Sequence, residues 1–116
     1  MTMFRHLIFA LLLIACGCQQ RSGPVLPQST AGGWTLQDVS RTDRKTAGTY
    51  RGSGTVRVEV EDTGASVTAF DRAQRARPQA NTVFFYKGNY FVTVTWSEAD
   101  RDALRSLLRD LEKRLE

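Results

Sequence analysis

The chain has little of the chemistry that most enzyme active sites use. Its 116 residues include a single histidine, His6, and two cysteines, Cys16 and Cys18. Because His6 lies near the start, residues 16–116 contain no Ser-His-Asp or Cys-His arrangement and no histidine for a zinc site. Gly52-Ser53-Gly54 also lacks the Lys and Ser/Thr that follow the glycines of a phosphate loop. We therefore expect no enzyme, no cofactor and no metal.

Long apolar runs are missing too. The longest, residues 7–15, has nine residues. As a helix it would measure about 14 Å, less than half of a hydrocarbon core of about 30 Å. The composition is otherwise that of one globular domain, with 41% hydrophobic and 24% charged residues. The charge excess is small, with 16 Lys and Arg against 12 Asp and Glu.

The first 18 residues, MTMFRHLIFALLLIACGC, have the pattern of a targeting segment. A short basic start at Arg5 and His6 precedes the apolar run, which is typical of a secretory signal peptide that is removed on maturation. The alternative is a buried N-terminal core helix. It is disfavoured because a stretch rich in Gly, Pro and Gln follows directly.

The end of this segment is more specific. Leu13-Ile14-Ala15-Cys16 resembles the lipobox of bacterial lipoproteins. The resemblance implies that Cys16 receives a diacylglycerol, that residues 1–15 are removed, and that the new N-terminus is acylated. Cys18, preceded by Ala15-Cys16-Gly17, is the poorer alternative frame. In that class Asp after the lipidated Cys favours the inner membrane, so Gly17 points to the outer membrane if the organism has one.

An exported, lipid-anchored protein follows from that resemblance. Two or three acyl chains make release from a membrane negligible, and lipid on Cys16 leaves Cys18 as the single thiol, so no intrachain disulfide can form. Without Arg5 the balance is 15 basic to 12 acidic residues, too small an excess to indicate nucleic-acid binding. Residues 16–33, rich in Gly, Pro, Ser, Thr and Gln, are predicted to form a flexible tether.

Residues 34–116 are predicted to form one small α+β domain. Strands are expected over 34–40, 46–51 and 55–61, a helix over 65–76, a hairpin over 82–96, and a final helix that opens at Ser97. The predicted order is β-β-β-α-β-β-α, in a single antiparallel sheet of about five strands with both helices on one face. Tyr50-Arg51-Gly52 and Tyr86-Lys87-Gly88 suggest a repeat of two hairpin-helix units, although hairpins also produce such similarity by chance.

The second hairpin gives the main functional hypothesis. A two-residue turn at Gly88-Asn89 would pair Phe85 with Val92. Phe84, Tyr86 and Phe91 would then lie on the face opposite both helices, as an aromatic patch suited to binding a protein partner or a second copy. The alternative is that Trp34 and Leu36, or curvature of the sheet, cover the patch.

Two charged groups give weaker hypotheses. A basic row on the last helix is a candidate contact for anionic groups, although acidic neighbours favour an ordinary solvated face: Arg101, Arg105, Arg109 and Lys113. Glu59 and Glu61 share one face of a strand beside Asp62, which would suit a carboxylate hydrolase if they lay in a cleft. We expect a structural or interaction lipoprotein, with a ligand-binding or enzyme-inhibitor module as the alternative and a hydrolase as the least favoured class.

Overall fold

The computed structural model describes residues 24–115, so the predictions for residues 1–23 lie outside it. Six strands form one antiparallel sheet in the spatial order β1-β2-β3-β4-β6-β5. The elements, in chain order, are β1 (Ser29–Thr30), β2 (Trp34–Arg41), β3 (Lys45–Arg51), β4 (Thr55–Asp62), α1 (Ser66–Arg75), β5 (Thr82–Lys87), β6 (Tyr90–Ser97) and α2 (Arg101–Arg114). The α+β class and the single antiparallel sheet are confirmed. The strand count differs from the prediction because of the two-residue β1.

The alternation of side chains in the central strands sets the core. Val56, Val58 and Val60 are fully buried on one side of β4, where Val58 pairs with Val94 of β6. We call this side of the sheet the core face. The hairpin of β5 and β6 has the predicted register, with Phe85 opposite Val92 and a turn at Gly88, whose φ is +56°. The two-residue turn therefore determines which aromatic side chains face the core.

A β-bulge in β2 explains why apolar and polar residues stop alternating there. The register against β3 shifts between Leu36 and Asp38, so Leu36 pairs with Tyr50 and Val39 with Gly48. One extra residue in β2 keeps Leu36 and Val39 on the same face although three positions separate them. Leu36 is 9% exposed on the core face.

The two helices lie on opposite faces of the sheet, so the prediction that they share one face is wrong. α2 packs its apolar stripe onto the core face: Leu104, Leu107, Leu111 and, just beyond the helix, Leu115. α1 lies on the other face, where the ring of Phe70 meets that of Tyr86 at 5.2 Å and Arg72 pairs with Glu61 at 2.7 Å. The core face is already occupied by α2 and the N-terminal segment.

Residues 24–33 belong to the domain, so the predicted boundary at residue 34 is also wrong. Leu26 is 4% exposed within the core cluster. The Leu36 amide donates to the Gln28 carbonyl at 2.8 Å, the Tyr50 hydroxyl to the Pro27 carbonyl at 2.6 Å, and the Thr46 hydroxyl to the Pro24 carbonyl. We call residues 24–30 the N-terminal strap. The flexible tether predicted over residues 16–33 therefore does not include residues 24–33.

Gly48 of β3 makes room for the strap. A Cβ atom at Gly48 would lie 2.7 Å from Cδ1 of Leu26 and 2.8 Å from Cδ1 of Leu36. Such contacts are shorter than van der Waals distances, so two leucines pack over a position that only glycine leaves empty. The strap therefore packs on the sheet through two residues, Leu26 in a segment with a linker-like sequence and Gly48 inside a strand.

The two hairpins are not structurally equivalent, so the suggested repeat is not seen in the fold. Tyr50 is fully buried on the core face, whereas Tyr86 lies on the other face and is 41% exposed. The reason is the turn length: Tyr50 pairs with Val56, but Tyr86 pairs with Phe91. The helices that follow the two hairpins also lie on opposite faces.

The final helix begins after Asp100 rather than at Ser97, which ends β6. The Asp100 carboxylate accepts a hydrogen bond from the Ala103 amide at 3.0 Å, which is an N-cap interaction. Asp100, and not Ser97, is therefore the N-cap residue of α2. Ser97 instead continues the pairing of β6 with β4 through Thr55.

The hydroxyl of Tyr50 holds the strap, and its removal gives a first prediction. Burial raises the pKa of Tyr50 well above its ordinary value of 10.0, so the hydroxyl stays protonated and donates to Pro27. The resulting stability is fully present below about pH 10 and falls as the pH rises above that value. Tyr50→Phe leaves the Pro27 carbonyl without this donor, and we expect a loss of about 1–2 kcal/mol in the free energy of unfolding.

Urea denaturation followed by tryptophan fluorescence measures this loss. Tyr86→Phe is the matched control, because the Tyr86 side chain is on the opposite face and 41% exposed. We expect the control to unfold within about 0.5 kcal/mol of the parent protein. If Tyr50→Phe were as stable as the parent protein and the control, the strap would not depend on the Tyr50 hydroxyl.

Candidate interaction surface

Four aromatic side chains meet on the face opposite the core. The register of β5 with β6 places Phe84 opposite Thr93 and Tyr86 opposite Phe91. The rings of Phe84 and Phe91 stack with centroids 5.9 Å apart and planes inclined by 9°. Phe70 of α1 contacts Tyr86 edge-on, with planes inclined by 76°. We call Phe70, Phe84, Tyr86 and Phe91 the aromatic surface.

Helix α1 covers the aromatic surface only in part. Phe70 and Tyr86 remain 40% and 41% exposed, and Val67 in the first turn of α1 is 71% exposed. The alternative in which Trp34 and Leu36 cover these aromatics is not what the structure has. Both lie on the core face, where Trp34 Nε1 donates to the Ala103 carbonyl of α2 at 2.8 Å. The aromatic surface therefore stays partly exposed to solvent on the face opposite the core.

The sequence pattern of α1 does not predict that Val67 and Phe70 are exposed. Val67, Phe70 and Ala73 recur at helical spacing, which predicts their burial. In the structure Ala69 is fully buried, and the small side chains at positions 65, 69, 73 and 76 fall on one side of the helix. Alanine side chains let a helix lie close to a sheet but bury little area. The larger side chains of α1, Val67 and Phe70, lie on other sides of the helix and stay largely exposed. This four-residue spacing of alanine is the signal that reveals the exposure of Phe70.

The outer edge of the sheet lies beside this surface. β5 is the last strand on its side among residues 24–115, so its outward backbone groups have no neighbouring strand there. Its sequence, TVFFYK, has one charged residue and no proline. Exposed edges of this kind are sites where another chain can add a strand. The edge and the aromatic surface are adjacent, because β5 forms the edge and also contributes Phe84 and Tyr86 to the surface.

The carboxylates of β4 are engaged in ion pairs on the same open face. Glu61 accepts from Arg72 at 2.7 Å, and Glu59 lies 3.5 Å from Arg57. Asp62 accepts a hydrogen bond from the Gly64 amide at 2.9 Å. Within residues 24–115 no group of three potential ligands is arranged to hold a metal ion, and no buried side-chain polar atom lacks a partner. The structure thus gives the carboxylates surface ion pairs rather than a cleft.

The basic row on α2 is exposed to solvent. Arg101, Arg105, Arg109 and Lys113 all point away from the sheet. Arg109 and Lys113 line an open pocket of about 450 Å³ with Lys87 and Glu112. Lys87 Nζ donates to the Glu112 and Lys113 carbonyls, so this ammonium neutralises the negative C-terminal end of the helix. The row thus follows one exposed side of α2, with an open pocket beside its last two members.

Comparison with known proteins gives no relative. No protein-family model, no curated protein and no solved structure matches the chain. In the part of the chain that the structure describes, neither helix combines the length and apolar character needed to cross a membrane. Function must therefore be argued from the residues themselves.

Proposed function

We propose that this chain is a lipid-anchored protein of the bacterial envelope whose domain binds a protein partner through the aromatic surface. The observation that carries the binding role is the exposure of Phe70 and Tyr86, at 40% and 41%, beside the stacked pair of Phe84 and Phe91. Aromatic side chains are enriched among the residues that dominate binding energy at protein interfaces. Polar side chains of β4 border them, as in a typical interface rim.

The anchoring role is supported by the sequence of residues 13–16. The lipobox resemblance implies diacylglycerol on Cys16, with Cys18 as the alternative position, and Gly17 favours the outer membrane. Two or three acyl chains would make the attachment permanent. A permanently anchored domain then meets its partner within the envelope. A second copy of the chain is the alternative partner, because β5 offers a free edge.

The other function classes have less support. The two pockets that Lys87 lines, of about 480 and 450 Å³, are open at the surface, whereas a ligand site typically buries most of its ligand. Glu59 and Glu61 form ion pairs on an open face, which suits a hydrolase poorly. The aromatic surface is thus the better basis for a functional test.

Photo-crosslinking in intact cells tests the binding surface. A photoreactive amino acid is placed at Val67, which lies beside the aromatic surface and is 71% exposed, or at Tyr86, which belongs to that surface and is 41% exposed. The matched control position is Val39, 47% exposed and on the other side of the sheet. We expect a discrete protein adduct from positions 67 and 86 and none from position 39. The same adduct from all three positions, or from none, would contradict the proposal.

Truncation of Tyr86 gives a quantitative prediction for the same surface. Once the adduct partner is purified, Tyr86→Ala should weaken its binding by about 2 kcal/mol, or roughly thirtyfold, as an interface anchor does. Val39→Ala, the control, should leave the binding constant unchanged. The free energy of unfolding should change by less than about 1 kcal/mol in both variants, because both side chains are exposed. Unchanged binding of Tyr86→Ala would exclude Tyr86 from the interface.

A further inference from the structure

The strap fixes the end of the domain at which a tether leaves. The Thr46 hydroxyl donates to the Pro24 carbonyl. Thr46 lies near the start of β3, where Lys45 is opposite Glu61, near the end of β4, in the strand register. The loops of this end are joined by hydrogen bonds: Asp62 N donates to Arg44 O at 2.7 Å and Thr63 N to Asn89 O at 2.9 Å. We call this the linker end, composed of residues 24, 41–45, 62–64, 87–90 and 112–115.

The tether that remains is short. From Cys16 to Pro24 there are eight chain steps, which span at most about 29 Å when fully extended. A random chain of that length has a mean reach of about 14–17 Å. If Cys16 carries the lipid, as the proposed function states, the linker end is the part of the domain held nearest to the membrane.

The linker end has an excess of positive charge. Its loops contain six basic and three acidic residues, whereas the loops at the opposite end, residues 31–33, 51–55, 76–82 and 97–102, contain three of each. Arg44 and Lys45 are exposed and form no ion pair with another residue of the described range 24–115. Some acidic side chains nearby are already engaged, as Glu61 is with Arg72.

We propose that the linker end rests on anionic phospholipid headgroups of the membrane that holds the anchor, with Arg44, Lys45 and Lys113 as its contacts. This inference depends on the proposed anchor. Basic residues near an anionic surface contribute about fivefold each to association. Such contacts would be weak for a free domain, but the tether raises the effective concentration of the surface. The aromatic surface then faces sideways within the envelope, where a neighbouring protein can reach it.

Fluorescence quenching on reconstituted vesicles tests this orientation. The lipidated full chain, carrying Cys18→Ser, receives one labelled cysteine at Asn89→Cys in the linker end or at Gln79→Cys in the opposite end; both positions are exposed amides. The vesicles are phosphatidylcholine with or without phosphatidylglycerol, and the quencher is attached to lipid headgroups. We expect stronger quenching at position 89 than at 79, a further increase with phosphatidylglycerol, and its loss at high salt.

Paired charge reversals compare the linker end with the first half of α2, which lies toward the opposite end of the domain. Arg44→Glu with Lys45→Glu should lower the gain from phosphatidylglycerol at least about fivefold. The matched control is Arg101→Glu with Arg105→Glu, the same change of charge at the opposite half of the molecule, and it should leave the gain unchanged. Equal quenching at positions 89 and 79, or a loss caused only by the control pair, would overturn the inference while leaving the anchor intact.

Flotation of the same samples keeps the two proposals separate. A chain that floats with the vesicles through its lipid satisfies the proposed anchor whatever the quenching shows. A chain that fails to float at high salt lacks a stable anchor, and that result overturns both the proposed anchor and the orientation that rests on it. Quenching is interpreted only for the floated fraction.

Discussion

Cys16→Ser is expected to abolish acylation of the protein and to leave a precursor that keeps residues 1–15. The physical reason is that the proposed anchor joins the diacylglycerol through the sulfur of Cys16, and a serine hydroxyl is a far weaker nucleophile than a thiolate near neutral pH. Labelling of cells with radioactive palmitate and gel mobility of the product measure both effects. We expect the label to fall to background and the product to migrate as the longer chain.

Cys18→Ser is the matched control for that experiment, because it lies two residues away and is the alternative lipid position. It should keep the label and the mobility of the parent protein. The reverse pattern, with label lost from Cys18→Ser and kept by Cys16→Ser, would move the lipid to Cys18. Label that survives in both variants would contradict the lipobox interpretation.

Trp34→Ala is expected to have the largest effect on stability. Trp34 is fully buried in the core cluster, and its indole N–H donates to the Ala103 carbonyl at 2.8 Å. Removal of such a side chain costs about 3–5 kcal/mol, against a total of about 5–15 kcal/mol for a typical domain. For a domain of about 10 kcal/mol we expect the urea midpoint to fall by roughly 30–50%, with Trp96 as the fluorescent reporter.

Trp34→Phe separates the two contributions of this side chain. It keeps most of the buried ring area but loses the donor to Ala103, so the expected loss is about 1–3 kcal/mol. Thr35→Ala, at the exposed neighbouring position, should change the free energy of unfolding by less than about 1 kcal/mol. A Trp34→Ala protein as stable as the parent would show that β2 and α2 are not joined through this contact.

Local rules were sufficient to predict the second hairpin. Gly88-Asn89 specifies a two-residue turn, and the turn fixes the register that places Phe85 on the core face and Phe84 on the other. The burial of Val56, Val58 and Val60 followed in the same way from alternation in β4. These features depend on residues that are close together in the sequence, so local sequence patterns predict them.

The face on which each helix lies depends on contacts between distant residues, which no local pattern contains. α1 resembles an amphipathic helix that would join α2 on the core face. The strap and α2 together occupy that face. Arg114 of α2 donates to the Ser29 carbonyl of the strap at 3.0 Å, and the amide of Ala31, the residue after the strap, donates to Asp110 at 2.9 Å. The strap itself was missed because its two prolines, Pro24 and Pro27, and the glycines on either side of it are typical of a linker. The burial of Leu26 in the core cluster distinguishes it from one.

The candidate site was predicted in part. Alternation along β5 and β6 placed Phe84, Tyr86 and Phe91 on one face, and the structure has them there. The contribution of Phe70 was missed, because the pattern of α1 predicts that this side chain is buried. Whether a helix covers a sheet completely depends on the size of its inward side chains, here Ala69 and its neighbours.

The mass of the N-terminal tryptic peptide from membrane-purified protein tests the anchor most directly. Trypsin cleaves after Arg21, so the account predicts the peptide of residues 16–21, CGCQQR, with a diacylglycerol on the Cys16 sulfur and an acyl group on its amine. An unmodified peptide from this region, or one that begins before residue 16, would contradict lipid anchoring at Cys16.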